Sequence, residues 1–133
     1  MTTLTAPLSA SQLQSQLQQH IGTTKYYRHP LFPAVVYTDG VQFLAENGGG
    51  HGAYWLIEIL LPLCADHISR DAQPFLSIKV DVEDDNATIF VTDGNEKLLN
   101  KARIEFTDLQ AGTYNLYCVY DEPHPVLMLA SEY

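Results

Sequence analysis

The fold is decided by residues 75–91, which read FLSIKVDVEDDNATIFV. Apolar and polar residues alternate from Leu76 to Val82, and a period of two is typical of a strand with one buried and one solvated face. A two-residue loop at Asp85-Asn86 would pair Val82 with Ile89 and keep the apolar face together, whereas a one-residue slip would invert that face. This stretch therefore predicts an antiparallel hairpin that covers a hydrophobic core.

Further strands are expected downstream of this hairpin. The segments 102–107, 114–120 and 125–129 have strand-like patterns, and together with the hairpin they predict a meander of four or five strands. The last two segments are apolar on both faces, which is typical of central strands whose two faces are both covered.

Upstream of the hairpin, residues 35–44 read VVYTDGVQFL. The dipeptide Asp39-Gly40 favours a type I′ turn, so this segment predicts a second hairpin in which Val36 pairs with Phe43. Residues 53–61, AYWLIEILL, are apolar on nearly all sides, and their length favours a buried helix.

An amphipathic helix is predicted near the N-terminus, where Leu13, Leu17 and Ile21 recur at helical spacing. Residues 1–8 are expected to form a flexible terminus and residues 9–133 a single domain. Helices then concentrate in the first half of the chain and strands in the second. The predicted fold class is α+β, with a mainly antiparallel sheet of about six strands, an N-terminal helix and one buried helix.

The chain is acidic, since its 133 residues carry 16 Asp and Glu against 7 Lys and Arg, a net charge of −9. Proteins that bind nucleic acids or anionic membranes cluster Lys and Arg, so neither partner is expected. The sequence has no signal-peptide pattern and no apolar stretch of membrane-spanning length, which predicts a cytoplasmic protein. Cys64 and Cys118 lie among apolar residues and are expected to be buried thiols, with a disulfide or a reactive thiol as the alternative.

Several short motifs are spread over the chain from residue 22 onward. They include YRHP at 27–30, YTDGV at 37–41, LAE at 44–46, AYWLIE at 53–58, EFTD at 105–108 and SEY at 131–133. In these motifs the chain resembles a family of small bacterial proteins known only as a domain of unknown function. Gly50-His51-Gly52 departs from the family pattern, in which Gly-Gly runs straight to Ala-Tyr-Trp, and Ala130 stands where Pro is common. The resemblance implies no activity, cofactor or catalytic residue.

Polar and aromatic side chains concentrate between Tyr26 and Glu58. Six of them are candidates for a ligand-binding pocket: Arg28, His29, Asp39, Glu46, Tyr54 and Trp55. Packing of the second hairpin against the buried helix would allow Arg28 to pair with Glu46 or Glu58. That pair would be either a buried salt bridge in an aromatic core or the polar floor of a pocket, where His29 or Glu46 could handle protons.

No catalytic constellation, cofactor or metal site is predicted. The five histidines are not spaced as zinc ligands, and the closest arrangement pairs His51 with Glu46. The loop at 48–52, GGGHG, precedes a helix as anion-binding loops do, but it lacks the Lys-Ser/Thr of a P-loop and is interpreted as a loose connection.

Two hypotheses about function follow. The first is a non-enzymatic binding or interaction domain that recognises a protein partner or itself. The alternative is a small enzyme or small-molecule binder that uses the pocket built from residues 26–58. A homodimer would cover the second apolar face of the central strands, since two-fold dimers are the commonest assembly. The rival is that the N-terminal helix covers that face within one chain.

Overall fold

A computed structural model describes residues 8–21, 25–50, 52–70, 74–95, 97–121 and 124–133. Its helices are α1 (Ala10–Leu17), α2 (Asp39–Asn47) and α3 (Tyr54–Ala65), and α3 continues into a π-helical turn, Asp66–Arg70. Its strands are β1 (Tyr26–His29), β2 (Phe32–Thr38), β3 (Phe75–Glu83), β4 (Asn86–Thr92), β5 (Leu98–Ile104), β6 (Gly112–Asp121) and β7 (His124–Leu129). A 3₁₀ turn, Ala130–Glu132, follows β7. The predicted α+β class with a mainly antiparallel sheet is confirmed, with seven strands where about six were expected.

The seven strands form one sheet in the order β1-β2-β7-β6-β3-β4-β5. All neighbours are antiparallel except β2 and β7, which run parallel with Val36 opposite Val126. The predicted meander is wrong at one connection, because the chain returns from the edge strand β5 to pair β6 with β3. The two strands that are apolar on both faces, β6 and β7, do lie in the interior of the sheet.

The hairpin predicted from residues 75–91 is present as β3 and β4, with the apolar face together. Its loop is Asp84-Asp85 rather than Asp85-Asn86, so Val82 pairs with Ala87 instead of Ile89. Asp84 adopts a φ of 53°, the left-handed conformation that a two-residue turn of this kind requires and that Asp tolerates. The pairing has moved by two residues, and an even shift leaves every side chain on its predicted face.

The second predicted hairpin is wrong, because Asp39-Gly40 opens the helix α2 instead of a turn. The Thr38 side chain caps this helix by accepting a hydrogen bond from the Val41 amide at 3.3 Å. Val41, Leu44 and Ala45 are buried at the i, i+3, i+4 spacing of an amphipathic helix. The antiparallel partner of β2 is therefore β1 on its other side, not the chain after Gly40.

The described helices cover one face of the sheet. α2 and α3 pack on β2 and β7, and α1 packs against α2. Leu13 and Leu17 of α1 share one hydrophobic core with α3 and the central strands, so the alternative in which α1 covers the second face is wrong. On that second face Tyr117, Val119 and Met128 are half-buried. None of the described helices combines the length and apolar character needed to cross a bilayer.

Candidate functional site

Strand alternation separates Arg28 from His29, which follows it in β1. Arg28 Nη2 lies 3.1 Å from His124 Nε2 on the face opposite the described helices. On the helical face, His29 Nε2 lies 3.1 Å from Glu58 Oε2 of α3. The expected pairing of Arg28 with Glu46 or Glu58 is thus wrong, because adjacent residues of a strand point to opposite faces of a sheet.

His29 ties the β1–β2 turn to α3. Its Nδ1 accepts a hydrogen bond from the Leu31 amide at 3.1 Å. A ring nitrogen that accepts carries no proton, so the proton of the neutral imidazole resides on Nε2 and is donated to Glu58. This arrangement fixes one tautomer and gives His29 an anchoring role in the described structure.

Glu46 and Tyr54 do come together, in a cluster of tyrosines between α2, α3 and the first two strands. The rings of Tyr27 and Tyr37 stack with centroids 5.7 Å apart, and Gln42 Nε2 donates to the Tyr54 hydroxyl at 2.6 Å. Burial raises the pKa of Tyr37, and the neighbouring Tyr54, Tyr27 and Glu46 raise it further. Tyr37 was missed in the sequence because it reads as an ordinary strand residue.

The loop before α3 is held by hydrogen bonds to the segment that links β5 to β6. The Gly49 amide donates to Gln110 Oε1 at 2.8 Å, and the Gly50 amide donates to Asp108 Oδ2 at 2.7 Å. Both amides donate to side chains of the same chain and are therefore not available to bind an external anion. The predicted loose connection is therefore wrong for this part of the loop, and His51, the residue proposed to pair with Glu46, lies outside the described residues.

The N-terminus of α3 and the segment after β5 together form an acidic aromatic groove. It has a volume of about 560 Å³ and is lined by Gly52, Tyr54, Trp55, Asp85, Phe106, Thr107 and Asp108. The Thr107 amide donates to the Asp85 carbonyl oxygen at 2.8 Å. This bond joins the wall that contains Phe106, Thr107 and Asp108 to the β3–β4 turn. Two motifs of the sequence, AYWLIE and EFTD, thus contribute opposite walls of one surface feature.

Aromatic surface is unusually exposed in this groove. The side chain of Phe106 is 80% exposed, and that of Tyr54 is 41% exposed. Asp85 and Asp108 add negative charge beside these rings. Large exposed aromatic residues rimmed by charged ones are typical of a surface that binds another molecule.

A second groove lies on the face opposite the described helices, at the β1–β2–β7 edge of the sheet. It has a volume of about 420 Å³, and its lining includes Tyr26, Arg28, Asp121 and His124 over the apolar Val126. Arg28 is the only residue of the predicted six that lines it. This groove therefore combines a cation, an imidazole, a carboxylate and an aromatic ring.

Asp39 lies far from the other predicted residues, at the N-terminus of α2 beside the C-terminal turn. There the buried carboxylate of Glu132 accepts hydrogen bonds from the Thr38 hydroxyl at 2.6 Å and from the Leu129 amide at 2.9 Å. The Gly40 amide donates to the same carboxylate at 3.3 Å. The motifs YTDGV and SEY therefore meet in space, although 93 positions separate Asp39 from Glu132.

The two cysteines are free and buried, as predicted. The pKa of the Cys64 thiol is raised well above its usual range. The main cause is a hydrogen bond with Cys118, and the second is complete burial. The thiolate is the nucleophilic form of cysteine. A raised pKa therefore argues against Cys64 as a catalytic nucleophile.

Comparison with known proteins agrees with the motif resemblance. No curated protein and no solved structure matches the chain. A family model does match it, over residues 11–133, and that family is described as one of unknown function (DUF6876). The match covers nearly every element described above, and the chain therefore belongs to this family of unknown function.

Proposed function

We propose that this protein is a non-enzymatic interaction domain that binds a basic, partly apolar segment of a protein partner in the acidic aromatic groove. The observation that carries the proposal is the 80% exposure of Phe106 in a groove that Asp85 and Asp108 also line. Tyr54 and Trp55 supply a second aromatic wall of the same groove.

The chemistry of the groove favours a protein partner. Aromatic residues are enriched in interfaces and dominate their binding energy. Complete burial of a side chain such as Phe106 contributes roughly 1.5–3 kcal/mol. The acidic rim and the net charge of −9 would steer a basic segment toward these rings and repel an acidic one.

The groove also rests on a framework that positions it before binding. Its walls are joined by the Thr107–Asp85 and Gly50–Asp108 hydrogen bonds, which link three separate segments of the chain. A surface that is already arranged loses less conformational entropy when a partner binds. Recognition without rearrangement is therefore the expected mode.

The proposal is tested with an array of peptides that vary in charge and aromatic content, followed by fluorescence titration of those retained. Basic peptides with apolar residues should bind the wild type, and Phe106→Ser should weaken that binding by roughly ten- to a hundredfold. Asp85→Lys should weaken it and reduce its dependence on salt, because this substitution reverses one charge at the rim. Leu31→Ser is the matched control, since Leu31 is 74% exposed and lies outside the groove. Unchanged binding by Phe106→Ser would overturn the proposal.

A second candidate function is the binding of a small organic anion in the groove of Arg28 and His124. Its support is the guanidinium of Arg28, which lies beside an imidazole and an aromatic wall in a space of ligand size. A thermal-shift screen of aromatic carboxylates and phosphates tests it, with Arg28→Gln as the disabling variant and Arg103→Gln as the control. Stabilisation that Arg28→Gln does not reduce would exclude this site.

A further inference from the structure

Three distant segments bring an imidazole and two carboxylates together outside both grooves. His20 follows α1, Asp39 opens α2, and Glu132 ends the chain's last turn. One ligand atom from each of these side chains lies within 4.8 Å of the other two. Glu132 is buried, and His20 and Asp39 are partly buried.

The carboxylate of Glu132 is held in place by donors from two other elements. The Thr38 hydroxyl binds it at 2.6 Å and the Leu129 amide at 2.9 Å. In metal sites, carboxylate ligands are commonly oriented by hydrogen bonds of this kind from surrounding residues. Glu132 therefore has a defined position before any ion binds.

His20 is positioned by contacts to the same two elements. Its ring lies against Phe43 of α2 with centroids 5.2 Å apart. Phe43 is four residues after Asp39, so it lies on the same side of α2. The Ser131 hydroxyl donates to the His20 carbonyl oxygen at 2.7 Å, which ties His20 to the residue next to Glu132.

We propose that His20, Asp39 and Glu132 form a binding site for a divalent transition-metal ion, with Zn²⁺ as the best fit. Two neighbouring carboxylates repel each other, and a divalent cation relieves that repulsion. An imidazole ligand favours zinc and its neighbours in the periodic table over Mg²⁺ and Ca²⁺. Ligand atoms around tetrahedral zinc are about 3.4 Å apart, so small side-chain rotations close the remaining distance.

Three protein ligands leave the fourth position of a tetrahedral ion for water or an external ligand. Because His20 and Asp39 are only partly buried, that position is accessible from solvent. The site lies at the N-terminal end of α2, whereas the acidic aromatic groove lies near its C-terminal end. Metal binding and partner binding are therefore separable.

The test is titration of tag-free protein, previously dialysed against EDTA, with Co²⁺ as a spectroscopic probe and with Zn²⁺ in competition. The wild type should bind one Co²⁺ per chain, with visible d–d absorption that Zn²⁺ displaces. His20→Asn and Asp39→Asn should each weaken binding by at least about tenfold. His67→Asn is the matched control, because His67 is outside the His20, Asp39 and Glu132 cluster, and it should bind as the wild type does.

Far-UV circular dichroism in EDTA establishes that each variant is folded before titration. Wild-type protein that shows no saturable binding would overturn the proposal. So would two folded variants, His20→Asn and Asp39→Asn, that both bind Co²⁺ as tightly as the wild type.

Discussion

Replacing Glu132 with glutamine tests the contact that joins the C-terminus to α2. Glu132 Oε1 accepts from Thr38 and Leu129, and Oε2 accepts from the Gly40 amide. In Glu132→Gln the amide oxygen can keep the first two bonds, but the new NH₂ group then faces the Gly40 amide as a second donor. The negative charge at the N-terminus of α2 is lost as well.

The cost can be estimated from these contacts. At the lower end of its range a hydrogen bond to a charged group contributes about 1.5 kcal/mol, and a neutral one contributes about 1 kcal/mol, so weakening two bonds and losing the third costs about 2.5 kcal/mol. Loss of an anion at a helix N-terminus adds about 0.3–1 kcal/mol. We therefore expect Glu132→Gln to lower the free energy of unfolding by about 3 kcal/mol. With an unfolding entropy of about 2.1 cal/mol/K per residue, this lowers Tm by about 10 °C.

The assay is thermal unfolding followed by circular dichroism, in a buffer with EDTA so that bound metal contributes nothing. Glu83→Gln is the matched control, because Glu83 is exposed at the β3–β4 turn, and it should change stability by less than about 0.5 kcal/mol. A Glu132→Gln variant whose Tm lies within about 2 °C of the wild type would refute the reasoning.

Four further outcomes are expected. Gly40→Ala should lose about 1–3 kcal/mol of stability in urea unfolding, because a Cβ there would overlap the Glu132 carboxylate; unchanged stability would contradict the close approach. Burial raises the pKa of Tyr114 to about 12 from its ordinary value of 10.0. The stability advantage of the wild type over Tyr114→Phe should therefore be complete below pH 10.0 and shrink as the pH rises toward 12, since the unfolded chain releases the proton first. An advantage that stays constant in urea titrations across this pH range would contradict the raised pKa. Cys64 and Cys118 should react with a chromogenic disulfide reagent only after denaturation, and rapid labelling of native protein would show that they are accessible. A homodimer that covers the half-buried apolar face opposite the described helices is the expected assembly, and light scattering at micromolar concentration should then give twice the chain mass of 14.9 kDa, whereas a mass near 14.9 kDa excludes it.

Local patterns were sufficient for the buried face of the β3–β4 hairpin and for the interior position of β6 and β7. The alternation in residues 75–91 predicts which face of the β3–β4 hairpin is buried, and that face is correct even though the turn lies one residue earlier. The apolar character of β6 and β7 on both faces predicts their interior position. These predictions succeed because the side-chain period of a strand depends only on neighbouring residues.

Local patterns failed at Asp39-Gly40. Asp-Gly is a strong turn signal between apolar runs, and Val36 and Phe43 would pair acceptably across it. The helix forms instead because Thr38 caps its first turn and because the carboxylate of Glu132 binds there. Glu132 is too far along the chain for any local pattern to include it.

For the candidate sites, too, some features follow from local sequence patterns and others only from tertiary contacts. Six residues between Arg28 and Trp55 were expected to share one pocket. Strand alternation instead places Arg28 and His29 on opposite faces of the sheet. Asp39 and Glu46 lie near opposite ends of helix α2. Composition alone shows that the chain is acidic, and it predicts that the partner is neither nucleic acid nor an anionic membrane.

Only the tertiary structure brings Phe106 beside Trp55, and His20 beside Glu132. The members of these two pairs are 51 and 112 positions apart in the chain. Their proximity depends on the return of the chain from β5 to β6 and on the parallel pairing of β2 with β7. Such long-range pairings are selected by the burial of the whole core, which no single segment of the sequence encodes.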